Sequence, residues 1–104
     1  MPAFILLILA KNHAHGSMLL NMINESIPYI KADGPAIYRT LHELERSEAV
    51  KAYWDTSNPG AARKCYAITE KEIDQLKEFK TDIEERIKNF EYFLSEFESL
   101  GLKQ

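Results

Sequence analysis

From Glu70 to Leu100 this chain contains neither proline nor glycine, and its apolar residues keep time. Leu76, Ile83, Phe90 and Phe97 recur at every seventh position, and Ile73, Ile87 and Leu94 fill the alternate position, with Lys80 as the polar exception. An apolar repeat averaging 3.5 residues predicts one helix with a continuous seam over about four heptads. A helix of ~30 residues is roughly 45 Å long. The chain has 104 residues in all, so the part that remains can build only one small domain. Such a domain is too short to cover the whole rod, and the surplus seam needs a partner. Pairing with the apolar segment near the N-terminus would use some of it inside one chain. A symmetric homodimer would use the rest, with Leu76, Ile83, Ile87, Phe90, Leu94 and Phe97 at the interface.

Ahead of the rod the hydrophobic period changes twice. Phe4 to Lys11 is apolar on nearly every side and predicts a core helix. Its apolar run is too short to span a bilayer, lacks a preceding positive region and meets Lys11 and Asn12 at once, so neither a membrane anchor nor a signal peptide is expected. After His13-Ala14-His15-Gly16 a second helix is predicted from about Ser17 to Asn24, with Ser17 as its N-cap and Leu19, Leu20 and Ile23 at core spacing. Pro28 stops it. A third helix starts at Asp33, a good N-cap, with Pro35 tolerated in the first turn. Ile37, Leu41 and Leu44 form its buried stripe, and Arg39, His42, Glu43 and Arg46 lie on the opposite side. From Val50 the period drops to two: Val50, Ala52 and Trp54 alternate with Lys51, Tyr53 and Asp55. Trp54 is expected to anchor this strand against the domain. Asn58-Pro59-Gly60 signals a turn, and Tyr66 and Ile68 share a face of the returning strand. Thr69 is then placed to cap the long helix, with Glu72 at the capping-box position.

A short helix with a free basic face, beside a hairpin that carries Arg63 and Lys64, suits duplex DNA. The helix fits a major groove and the hairpin lies along the backbone. The expected fold class is mainly α with a small β-wing: a winged helix-turn-helix plus a long C-terminal helix. The expected organisation is a winged-helix DNA-binding domain over residues 1–69 and a C-terminal dimerisation helix over 70–104. The formal net charge of −3 argues mildly against nucleic acid until it is located. Residues 31–67 carry six basic and five acidic side chains, whereas 68–104 carry six basic and ten acidic. The acidity sits in the long helix, and local charge governs phosphate contact. Gly34, Pro35 and Ala36 are small residues at a helix N-terminus, allowing close approach to phosphate.

Three stretches resemble the PadR family of bacterial and archaeal transcriptional regulators, in particular its short subgroup with a single C-terminal dimerisation helix. They are His15-Gly16-Ser17-Met18-Leu19-Leu20, then Ile37-Tyr38-Arg39-Thr40-Leu41 through Leu44-Glu45, then Trp54 through Gly60 to Arg63-Lys64-Cys65-Tyr66-Ala67-Ile68-Thr69. They stand in the family's order over residues 4 to about 78. The resemblance implies a homodimeric, DNA-binding transcriptional regulator, a repressor in the leading reading. It places Tyr38 near the DNA backbone, and it allows a small, flat aromatic effector in the dimer interface. Met18, Met22, Phe90, Phe93 and Phe97 are the residues expected to line such a site. The chain also departs from the family pattern. Ser47-Glu48-Ala49 replaces the glycine usual after the Leu-Glu helix, so the turn there must avoid a positive φ or strain one. The first helix starts very near the N-terminus, so part of the usual dimer contact is expected to be shortened.

Each of these residues also has a plainer reading. Arg39, His42 and Arg46 could be a solvated helix face; beside Arg63 and Lys64 on a wing they are read as DNA contacts. Tyr38 could belong to the core. His13, His15 and Cys65 could suggest metal sensing, but a lone His-x-His and one distant cysteine fall short of a three- or four-ligand set, so no metal or other cofactor is expected. Cys65 beside two basic residues could be a redox switch if they lower its pKa, or plain packing. The aromatics of the long helix could simply be dimer core. With no nucleophile–base pairing, paired carboxylates or phosphate-cradling loop, the chain is not expected to be an enzyme. The alternative function is a winged-helix protein–protein interaction module that does not read DNA. A single cysteine and no export signal point to the cytoplasm.

Overall fold

The computed structural model describes residues 2–57 and 60–102. Four helices and three short strands follow in the order α1 (Pro2–Lys11), β1 (Ala14–His15), α2 (Gly16–Ser26), α3 (Gly34–Arg46), β2 (Val50–Asp55), β3 (Arg63–Ile68) and α4 (Glu70–Ser99). The strands form one antiparallel sheet in the order β1-β3-β2. The β2–β3 hairpin runs in register from Val50 opposite Ile68 to Asp55 opposite Arg63. This is a winged helix with a long C-terminal helix. Of the expected turn, Asn58 and Pro59 lie outside the described residues, and Gly60 takes φ +115°.

The core is the set of residues that the two periods select. Ile5, Leu6 and Leu9 of α1, Leu19 and Ile23 of α2, and Ile37 and Leu41 of α3 meet Val50 and Tyr66 of the sheet. Asp33 caps α3, its Oδ1 accepting from the Ala36 N–H at 2.8 Å. The loop before it is held by Asn24, whose side chain accepts from Ala32 N–H at 2.7 Å and donates to Ala32 O at 3.0 Å. One amide thus serves both backbone groups of a residue that has no strand or helix partner.

Three local expectations are corrected. His15, not Ser17, is the N-cap of α2: its Nδ1 accepts from the Met18 N–H at 3.2 Å. That follows from the two residues of β1, Ala14 opposite Tyr66 and His15 opposite Cys65, which fix the chain direction one step before the helix. Thr69 stands at the N-cap of α4 without capping it. Its hydroxyl instead donates to Glu48 O (3.1 Å) and Ala49 O (3.2 Å), and its N–H also donates to Ala49 O. The start of α4 is therefore fastened to the turn that ends α3. Trp54 is 65% exposed and anchors nothing. Its strand face is that of Val50 and Ala52, but the hairpin has by then run past the edge of the core. Of the two outcomes open to the turn after α3, avoiding a positive φ or straining one, the chain takes the second: Glu48 sits at +64°. Ala49 N–H donates to Leu44 O and Glu48 N–H to Glu45 O, a Schellman motif with glutamate where glycine is usual.

The rod outruns the domain it starts from. Leu76 and Phe79 pack against the core, whereas from Thr81 to Leu102 every residue but Phe97 is exposed. The molecule extends 61 Å with a radius of gyration of 17.5 Å, against about 13 Å for a compact chain of this length. No described helix is long and apolar enough to cross a membrane.

Candidate nucleic-acid interface

The amphipathic period of α3 decides which of its side chains are free. With Ile37 and Leu41 fully buried, Arg39, His42 and Arg46 turn outward together, all exposed, with Glu43 among them. Pro35 is exposed and Gly34 and Ala36 half-buried at the N-terminus of the same helix. A Cβ at Gly34 would meet nothing, so small size there opens the surface without being required by the fold.

Tyr38 stands at the edge of this face, 51% exposed, and leans on the start of α2. A Cβ at Gly16 would lie 2.6 Å from Tyr38 Cζ and 2.7 Å from its hydroxyl. Gly16 is thus needed for a close approach, and its effect is to hold the Tyr38 hydroxyl between α2 and the wing. The sequence carried the residues of this contact but gave no signal that they touch.

The two basic wing residues are not equivalent. Neighbours in a strand point to opposite faces, and Lys64 turns toward α3, where its Nζ lies 3.3 Å from Glu45 Oε1 and 5.6 Å from the centre of the Tyr66 ring. The hydrogen bond to Glu45 pushes the Lys64 pKa up. Arg63 is exposed, and its Nη1 lies 3.1 Å from His15 Nε2. Together His15, Gly16, Ser17, Tyr38, Arg63, Lys64 and Tyr66 line a hollow of about 490 Å³ on the flank of α3. His15, Ser17 and Tyr66 were not among the expected interface residues; no spacing rule connects 15 to 63.

At the wing tip the Asp55 carboxylate accepts from the Ser57 N–H and hydroxyl (2.9 and 2.7 Å), which holds its pKa below the usual carboxylate range. His13 Nδ1 lies 2.9 Å from the Tyr53 hydroxyl, tying the chain before β1 to β2. Among the described residues no three His, Cys, Asp or Glu side chains converge as a metal site would require. Cys65 is buried, and burial together with the Asp55 carboxylate pushes its pKa up, with Arg63 only partly opposing. Of the two readings of Cys65, the burial fits plain packing: Lys64 faces away and desolvation outweighs Arg63, so the lowered pKa that a redox switch needs is not there.

Of the expected interface residues on α4, Leu76 is engaged by its own domain, while Ile83, Ile87, Phe90 and Leu94 are exposed and Phe97 is half-buried. Phe93 and Phe97 stack at 6.2 Å. Beside Leu76, Phe79 and Ile83, a groove of about 420 Å³ opens toward Phe4 and Leu7 of α1. Met18 is exposed and Met22 half-buried on α2.

The sequence pattern of the transcriptional regulator PadR-like family matches residues 5–78. No curated protein matches the chain. Among solved structures, a PadR family transcription regulator from Clostridium difficile superposes with a TM-score of 0.78 at 23% identity, over 89% of this chain and 96% of that one. A conserved protein of unknown function, described as a potential transcriptional factor, gives a TM-score of 0.80 at 30% identity, over 95% of this chain and 88% of that one. Bacillus subtilis PadR in complex with operator DNA gives 0.68 at 19% identity, over 75% of this chain and 45% of that one.

Proposed function

The chain belongs to the PadR-like family of transcriptional regulators, and from that premise we propose that it is a homodimeric repressor that reads duplex DNA. The observation that carries the reading is the outward face of α3: Arg39, His42 and Arg46 are exposed side by side, next to a wing that holds Arg63. Bacillus subtilis PadR, of the same fold, was crystallised with operator DNA, which supports DNA as the partner. In this reading residues 1–69 form the reading head. Gly34, Pro35, Ala36 and Tyr38 approach the backbone at the start of α3, Arg39, His42 and Arg46 enter the major groove, and Arg63 and Lys64 follow the strand beside it. Residues 70–104 join two heads through Ile83, Ile87, Phe90, Leu94 and Phe97, with Leu76 at the root of the seam. The half-sites lie about one helical turn apart.

A planar aromatic effector is proposed to bind between the two subunits, against Phe90, Phe93 and Phe97 and the methionines 18 and 22 brought up by the second copy. It acts by preferring one angle between the long helices. The Thr69 bonds to Glu48 and Ala49 support the coupling, because they make α4 turn together with the end of α3. The test is binding to the promoter duplex of its own gene, compared with random duplex, over a salt series. The expected result is a preference of at least about 10³-fold and a steep salt slope. Equal, weak binding to both duplexes overturns the reading in favour of a protein–protein module.

A further inference from the structure

The His15 ring is asked for two lone pairs and has one. Its Nδ1 faces the Met18 N–H at 3.2 Å, and its Nε2 faces the Arg63 guanidinium at 3.1 Å. Both neighbours are obligate donors. A neutral imidazole accepts at one nitrogen only, and an imidazolium at neither. With the proton on Nε2, the ring caps α2 and meets Arg63 donor against donor. With the proton on Nδ1, it donates to the Ser17 hydroxyl at 2.8 Å and accepts from Arg63, and the Met18 N–H loses its cap. Neither tautomer serves both sides.

An anionic oxygen in the adjoining hollow would resolve this. It accepts from Arg63 and from Nε2–H together, and leaves Nδ1 to the cap. The same hollow is bounded by Tyr38, Lys64 and Tyr66, so further donors face it. The carboxylates nearby are already engaged: Glu45 holds Lys64 at 3.3 Å, and Asp55, across the ladder from Arg63, accepts from Ser57. The hollow lies between Tyr38 of α3 and the turn-side end of β3, so an anion there sits beside whatever groove α3 enters.

We propose that His15 and Arg63 close on one backbone phosphate of duplex DNA. With Nδ1 kept for the Met18 N–H, the ring's proton settles on Nε2 by exchange with water as Arg63 turns to the phosphate. This rests on the DNA-binding reading and adds to it a neutral donor that carries no charge of its own. The contact contributes to affinity for every sequence alike, since phosphates carry no base identity.

Two variants of the full chain test it with a short random-sequence duplex, in parallel with inorganic phosphate at constant ionic strength. His15→Asn keeps a side-chain oxygen for the Met18 N–H, because asparagine is among the best N-caps, but cannot reach the phosphate. It is expected to fold as the parent does and to bind duplex about ten-fold more weakly, the size of one hydrogen bond to a charged group, with the salt slope unchanged. Arg63→Gln is expected to weaken binding and also to lower the slope by about one. In the parent chain the His15 ring nitrogens, followed by ¹⁵N NMR, move to a single Nε2–H tautomer on adding duplex. Unchanged affinity in His15→Asn, with Arg63→Gln still impaired, overturns the proposal while DNA binding stands. Saturation of the ring shift by phosphate, with no response to duplex, assigns the hollow to a free anion and also overturns it. No binding of any duplex by the parent chain removes both readings.

Discussion

Gly16 and Tyr38 are a pair that only the fold brings together, and their contact makes a prediction about position. A methyl group at residue 16 collides with the end of the Tyr38 ring. Because that ring is half-exposed, it can swing into solvent, so Gly16→Ala is expected to cost less than about 1 kcal/mol of stability. It should nevertheless weaken duplex binding several-fold without changing base preference, and Tyr38→Phe should do the same by deleting the hydroxyl. Full duplex affinity in both variants would remove Tyr38 from the backbone contacts. The three basic residues predict a graded series. Arg39→Ala should lose mainly the preference for the specific site, by ~1–3 kcal/mol if it makes a bidentate base contact. Arg63→Ala should weaken all duplexes and lower the salt slope by about one. Lys64→Ala should lower the slope by less, because Glu45 already holds its ammonium at 3.3 Å and fewer counterions are there to release. A full unit lost in Lys64→Ala, measured over the same salt series, would mean that the Glu45 pair opens on DNA.

At the scale of elements, the turn between α3 and β2 holds Glu48, which with Tyr29 is one of two non-glycine residues at positive φ among the described residues. Glu48 at φ +64° completes the Schellman motif in a region that costs an L-residue roughly 1–2 kcal/mol. Glu48→Gly relieves this but gives up some conformational restriction in the unfolded chain. A net gain of about 0.5 kcal/mol, or roughly 2–4 °C in Tm at fixed protein concentration, is expected. Glu48→Val should lower Tm, since β-branching disfavours that region most. A neutral result for both would show that the turn relaxes away from its positive φ.

The same turn shows what the sequence could and could not reveal. The missing glycine after Leu44-Glu45 gave notice of strain, an unbroken apolar run located α1, and the apolar periods located α3, the hairpin and the seam of α4, because burial repeats every 3.6 or 2 residues. The His15 cap and the two-residue β1 left no period to read. Trp54 was misplaced because alternation gives the face of a strand but not where the core beneath it ends. Thr69 was misplaced because a hydroxyl at a helix start can serve another backbone, here Glu48 and Ala49. The hollow at His15 and Arg63 joins residues far apart in sequence through sheet pairing, which spacing alone cannot anticipate.

At the scale of the whole molecule, the division of labour along α4 sets the last test. Up to Phe79 the helix closes the domain's own core; beyond it, Ile83, Ile87 and Leu94 are exposed and Phe90 is 66% exposed. Side chains of this size stabilise by about 1.5–3 kcal/mol each when fully buried, so leaving such a row in water is costly unless a second copy covers it. Truncation after Phe79 keeps Leu76 and Phe79 against the core and removes the exposed part of the seam. The shortened chain is expected to fold, to sediment as a monomer, and to lose its high affinity for a two-fold site, because one head reaches only one half-site. What remains should be weak, salt-sensitive binding like that to random duplex. If the shortened chain sediments as a folded dimer, the groove between α1 and the start of α4, lined by Phe4, Leu7 and Leu76, carries the interface instead. If it fails to fold, Ile83→Asp together with Leu94→Asp in the full chain makes the same distinction. Those two positions are exposed in one chain, so charge there leaves the domain intact and acts only on the pairing of two.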